Sequence, residues 1–329
     1  MHIPDGLLSA PVSMACATLS ALAIGTAAAR ARARLGSRGV AMLGVTGAFI
    51  FAAQMLNFPV VGGTSAHLIG GVLAAVLLGP STAVVVMTAV LVLQCLAFGD
   101  GGLLSLGANA LNMAVVHPLV GYAAYRTIAG VPRCGQPLQP ARQIAGAAFG
   151  AWVATIAGAA VCAGEIVLSR IGAPAVVLAA MVGVHAAVGV GEAVVTALVL
   201  ATVLRVRPEL ANAVARAPAA RRTVTAISLG LAASLALALF VSPFVCAWPD
   251  GLERLASRLG LDPSREHILF VAPMDGYAVH GIRVHVLSTS LAAAAGTLLV
   301  FGLCCALGWW LAPRRCSPAD RAIATASRI

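Results

Sequence analysis

The chain contains no lysine; all 21 of its basic residues are arginines. A P-loop needs the lysine of GxxxxGK[ST] against the phosphates, so this chain does not hydrolyse ATP by that mechanism. Charge of either sign is scarce, at 10% of 329 residues, where a soluble domain carries about 25%. No HExxH pattern and no Ser-His-Asp arrangement occurs, and no two cysteines form a CxxC pair. Cys16, Cys95, Cys134, Cys162, Cys246, Cys304, Cys305 and Cys316 are scattered, mostly inside apolar runs. They read as small packing residues, against a disulfide framework or a structural zinc site.

Apolar sequence fills the rest. The chain is 60% hydrophobic with a mean hydropathy of +0.96, which places it among proteins that cross a lipid bilayer many times. A net charge of +10 raises nucleic acid as a partner. The arginines, however, cluster at the ends of apolar runs, and the excess of basic residues in cytoplasmic loops explains that without a polyanion.

A spanning helix needs about 20 mostly apolar residues. Leu8 to Ala29 qualifies, and Arg30, Arg32, Arg34 and Arg38 behind it set that end in the cytoplasm and the N-terminus outside. Val40 to Leu56 returns outward. Asn57 to Ala66 is a Pro/Gly/Thr/Ser-rich loop at the outer face. A short run opens at His67 and ends at Gly79-Pro80. Ser81 to Phe98 goes back out, and Gly99 to Gly102 turns, with Asp100 read as a solvated turn residue. Leu103 to Ile128 comes in, softly broken at Gly107. Ile144 to Leu168 and Ala175 to Leu204 complete seven helices, and the basic segment 205–222 closes this part inside. Residues 223–329 form a second module: one span from Thr223 to Ala247, an outer loop over 248–283, and a return span from Val284 to Leu311. Sixteen arginines fall inside by this assignment and five outside. The expected fold is an all-α polytopic membrane protein: a seven-helix core over 1–222, then a two-helix module with an extracytoplasmic loop, and a cytoplasmic C-terminus.

The first six residues, Met1-His2-Ile3-Pro4-Asp5-Gly6, precede the first run without a basic residue, unlike a secretory signal. A histidine in second place has its own chemistry. The terminal amine, the His2 backbone nitrogen and the imidazole Nδ1 can wrap one metal ion in fused chelate rings. Three nitrogens in a plane leave one equatorial position, a set that suits Ni(II), Cu(II) and low-spin Co(II). Chance placement of a histidine explains the residue as well.

Met1-His2-Ile3-Pro4-Asp5-Gly6-Leu7-Leu8 resembles the opening of the CbiM/NikM family, the substrate-specific membrane components of energy-coupling factor (ECF) cobalt and nickel importers. The likeness continues through Asn57-Phe58-Pro59-Val60, Gly62 to Gly71, Gly99 to Gly102 and Gly107 to Met113. It implies that Met1, His2 and His67 hold the metal, Met1 through its amine. It also implies partners: a transmembrane coupling subunit (CbiQ/NikQ-like) and ATPases (CbiO/NikO-like). Ala17, Ala21, Gly25 and Ala29, a small-residue stripe on the first helix, would be the face that meets the coupling subunit. In the second module, Pro249-Asp250-Gly251-Leu252-Glu253 looks like the PDGLE domain, which accompanies this family in the role called CbiN or NikN. Ala272 to Gly281 is similar to that domain's second motif but departs from it at Met274, Gly276 and His280. Leu252, Leu255, Leu259 and Leu261 suggest a short amphipathic helix there.

Other polar residues divide more evenly. Asn57, Thr64, Ser65, Asn109 and Asn112 could support the ligands from behind, or join helices by ordinary hydrogen bonds. Glu165, His117, His185 and Glu192 lie in or near apolar runs, where ionisable groups are functional candidates. His185 and Glu192 share a helical spacing that could relay protons or metal. His267, His280 and His285 could concentrate metal at the surface or be merely solvated. The expected function is capture of Ni2+ or Co2+ as transported ligand, with no resident cofactor and no catalytic residue; the fused module inclines the reading to nickel. A stand-alone secondary carrier using His185 and Glu192 remains an alternative. So does an intramembrane metalloenzyme or metallochaperone, although no general base accompanies the Met1 and His67 motifs.

Overall fold

The computed structural model describes residues 2–35, 39–60, 63–131, 138–206, 220–244, 246, 248–259 and 271–312. In chain order come α1 (Ala10–Arg34), α2 (Val40–Gln54), strands β1 (Phe58–Val60) and β2 (Thr64–Ala66), α3 (Gly71–Leu78) and α4 (Pro80–Phe98). Then follow α5 (Leu106–Asn109), a π-helical segment (Ala110–Val116), α6 (His117–Ala129), α7 (Pro140–Leu168) and α8 (Pro174–Val206). The last third holds α9 (Ala220–Phe240), α10 (Gly251–Arg258) and α11 (His285–Leu311). Among the described residues, six helices are long and apolar enough to cross a membrane, while α2 is a shorter apolar helix of 15 residues. The polytopic, all-helical expectation therefore holds, with a two-stranded antiparallel hairpin added where a loop was expected.

Proline starts many of these helices. α1, α4, α6 and α7 each carry one in the first turn. Its ring fixes the helical φ, and the missing N–H would have had no partner there anyway.

Two helices differ from expectation. His67 does not open a helix; it lies in an extended stretch, and α3 begins only at Gly71. The reason is a side chain from far along the chain. Glu192, on α8, accepts the N–H groups of Ile69 (2.7 Å) and Gly70 (2.8 Å), capping α3 from outside, while Gly70 turns with φ +78°. The run after residue 103 is not one α-helix broken at Gly107. It widens into the π-helical segment between α5 and α6. Gly107 is instead where α1 crosses, because a side chain there would collide with the Ala17 backbone.

α3 and α4 fill the middle of the bundle, with Leu73, Ala74, Val84 and Met87 wholly or almost wholly buried. α6, α7 and α8 pack in sequence on one flank, and α9 and α11 pack on α2 on the other. Ala17, Ala21, Gly25 and Ala29 remain exposed on α1. The short α10 packs on α8 and β2. Its sequence explains its start: Asp250 accepts from the N–H groups of Leu252 (2.7 Å) and Glu253 (2.8 Å), and Glu253 accepts from the Asp250 N–H (2.9 Å). That reciprocal capping box satisfies donors a helix start otherwise leaves open. Gly251 leaves room for His185, and Leu252 and Leu255 are buried below.

Candidate metal site

The N-terminal segment lies on the turn after α4. Asp5 accepts the N–H groups of Leu103 (3.0 Å), Leu104 (2.8 Å) and Ser105 (3.2 Å), and the Ser105 hydroxyl donates to the Pro4 carbonyl. Asn109 holds Ile3 at both ends: it accepts the Ile3 N–H at 2.7 Å and donates to the Ile3 carbonyl at 3.1 Å. Gly101 and Gly102 are small by necessity. A side chain on Gly102 would strike Asp5, and one on Gly101, at φ +91°, would press Asn109 and His2.

This packing brings His2 against His67, with ring centroids 5.5 Å apart and planes within 10° of parallel. His67 is fixed by its Nδ1, 3.1 Å from the Leu68 carbonyl, and by the Glu192 cap two residues on. Gln54 donates to the Ile69 carbonyl (2.8 Å) and accepts from Gln94 (2.8 Å). The His2 side chain is 9% exposed; its Nδ1 lies 2.7 Å from Asp100, and its buried Nε2 has no hydrogen-bond partner. One ring nitrogen of His2 is thus buried without a protein partner, beside a second imidazole. Among the described residues no three His, Cys, Asp or Glu side chains form a metal-holding group. A metal here would therefore draw on main-chain nitrogens as well.

Desolvation lowers the His67 imidazole to about 4, with the neighbouring His2 charge acting in the same direction. The shift favours the neutral imidazole at His67. Burial pushes the Asp100 carboxyl up, but His2, the hydrogen bonds from His2 and Tyr277, and His67 together hold it well below the usual carboxylate range.

Asp100 is not a solvated turn residue. It joins His2 on one side and accepts the Tyr277 hydroxyl (2.6 Å) on the other. Neither Asp100 nor Tyr277 carries a signal in the sequence beyond its place in a short motif.

The remaining candidates separate. Ser65 donates through its hydroxyl to the Trp248 carbonyl and through its N–H to the Pro249 carbonyl, holding the hairpin to the second module, and Thr64 is buried beside it. The Asn57 carbonyl accepts from the Cys246 N–H, serving the same junction. Asn112 donates to Glu165 (2.8 Å), away from the imidazoles. Glu192 stands 3.9 Å from His117, while His185 bonds the Met181 carbonyl beneath Gly251, so His185 and Glu192 do not pair. His280 and His285 are exposed. Met1 and His267 lie outside the described residues.

Two family descriptions match the chain. Residues 2–210 match the family described as cobalt uptake substrate-specific transmembrane region, and residues 224–313 match the PDGLE domain. A probable fused nickel transport protein of Lactiplantibacillus plantarum is 36% identical over 313 residues, covering 89% of each chain. A fused nickel transport protein of Rhodobacter capsulatus is 34% identical over 277 residues, covering 79% of this chain and 78% of the relative. A crystal structure of a transition metal transporter superposes with a TM-score of 0.56 at 33% identity, over 63% of this chain and 93% of that one.

Proposed function

This chain belongs to the CbiM family of cobalt-uptake substrate-specific transmembrane regions, with a PDGLE domain behind it, and on that ground we propose that it is the substrate-capture subunit of an ECF-type importer for Ni2+ or Co2+. It is a multi-pass membrane protein of a metal transport family, a transporter and not an enzyme. The ion enters from outside and is held by the Met1 amine, the His2 main-chain nitrogen and imidazole, and His67. One observation supports this reading most: the fold stacks His2 on His67 although they stand on separate arms of the chain.

Covalent geometry supplies the rest. The amine and the His2 nitrogen close a five-membered ring on the metal, and the His2 nitrogen and Nδ1 close a six-membered one. Nδ1 now faces Asp100. A half-turn about Cβ–Cγ puts the Cδ2–Nε2 edge toward the carboxylate and leaves Nδ1 for the ion. Loading releases a proton from the amine and one from the amide, so affinity falls in acid. Nickel is favoured over cobalt by the general affinity order and by the relatives with the same fusion, which are named for nickel.

Energy would come from partners, a transmembrane coupling subunit that docks on Ala17, Ala21, Gly25 and Ala29 and a pair of ATPases. The N-terminus faces outward and the C-terminus the cytoplasm. The stand-alone carrier reading gains no support from His185 and Glu192, which the fold keeps on separate partners.

The test is metal analysis of the purified chain with its native N-terminus against a form extended by one residue. The native form is expected to retain about one Ni2+ per chain and the extended form to lose it. Equal retention would show that the amine is not a ligand.

A further inference from the structure

We propose that Tyr277, in the second module, is a positioning residue of the metal site: its hydroxyl fixes the Asp100 carboxylate beside His2, where it holds the ring in the metal-free site and balances the charge of the captured ion. This rests on metal binding at His2 and His67.

The contacts run in one line. Tyr277 donates to Asp100 Oδ2 at 2.6 Å, and Asp100 Oδ1 meets the His2 ring at 2.7 Å. The same hydroxyl interacts with Gln94, which donates to Gln54, which donates to the Ile69 carbonyl two residues past His67. One oxygen from the second module therefore touches the supports of both imidazoles.

The backbone marks the position independently. Tyr277 sits at φ +58°, a left-handed conformation that bulky residues avoid, directly after Gly276 at φ +58°. Such conformations persist only where the surroundings over-determine them, and they collect at functional sites. Here the surroundings are specific. The ring stacks on Phe98 (4.8 Å, 20°) and leans on Phe51 (6.3 Å). The Met274 N–H donates to the Ala97 carbonyl at 2.9 Å, and the Asp275 carboxylate packs on Gly99, where no side chain would fit. The segment is clamped to the end of α4 just before the tyrosine, and the tyrosine hydroxyl is delivered to Asp100.

Charge explains why that carboxylate matters. A divalent ion held by a neutral amine, a deprotonated amide and two neutral imidazoles keeps one positive charge. Asp100 cancels it, and buried charge is tolerated only when cancelled. In the metal-free site the carboxylate holds Nδ1 directly, so its placement governs the half-turn that frees that nitrogen for the ion.

The experiment compares wild type with Tyr277→Phe, which keeps the ring and removes the hydroxyl. Expected is Ni2+ binding weakened about 10- to 100-fold, as for other partners that orient ligands, with an altered ligand-field band of the bound Ni2+, in a metal-free protein that still unfolds cooperatively. Asp100→Asn should weaken binding at least as much, and the double variant no further, since both act through one contact. Tyr277→Phe binding Ni2+ within twofold of wild type overturns the proposal. Should that variant fail to fold, infrared difference spectra of ring-labelled tyrosine in the wild-type chain decide. A Tyr277 ring mode that shifts on Ni2+ addition supports the proposal, and an unmoved one overturns it. His67→Ala separates the two readings. If it keeps Ni2+, capture at His67 fails; if it loses Ni2+ while Tyr277→Phe binds normally, only the positioning role fails.

Discussion

At the scale of single residues, His67 gives a pH signature. Its imidazole is lowered from 6.5 to about 4 by desolvation. The unfolded chain takes up a proton below pH 6.5 that the folded chain refuses until about pH 4, so stability falls as pH drops through that window. Melting temperatures of the metal-free protein should therefore decline more steeply from pH 6.5 to 4 for wild type than for His67→Gln. Asn109 gives a second prediction. Its removal as Asn109→Ala leaves the buried Ile3 N–H without its acceptor, which costs about 1–3 kcal/mol. The melting temperature should drop, and retained Ni2+ with it, because His2 is the next residue. His2 and His67 were legible from their motifs, and Asn109 from its place among amides near the outer helix ends. Asp100 was not. An aspartate among glycines reads as solvated, and its partners His2 and Tyr277 come from the two far ends of the chain.

At the scale of elements, the first motif of the second module is a helix start. Asp250→Ala removes the acceptor of two N–H groups and half of a capping box. A loss of about 0.5–2 kcal/mol is expected, read as a lower melting temperature. Retained Ni2+ should fall more than the stability loss alone explains, because the chain just before α10 accepts both hydrogen bonds from Ser65, two residues before His67. The amphipathic helix itself was readable from Leu252, Leu255 and Leu259, while Leu261 lies outside the described residues. The hairpin was not, because three-residue strands carry too little alternation. Nor was the late start of α3, which depends on a carboxylate 122 residues away. The π-helical segment escapes for another reason: one extra residue in a turn leaves no mark on composition.

At the scale of the whole molecule, hydropathy and the arginine clusters carried most of the architecture, because lipid leaves few ways to satisfy a backbone. Orientation yields a direct prediction. Leu104 and Val131 are both exposed, near opposite ends of the run from α5 to α6. In a background with the native cysteines replaced, Leu104→Cys should react with a membrane-impermeant maleimide on intact cells and Val131→Cys only after lysis. The reverse pattern would turn the capture site toward the cytoplasm and remove its use in import.

The bond from Tyr277 to Asp100 spans 177 positions of the chain. A ribosome thus delivers the two histidines and the aspartate long before the phenol that braces them. A nascent or prematurely ended polypeptide presents a mouth with one wall missing, and the receptacle is completed only near the close of translation.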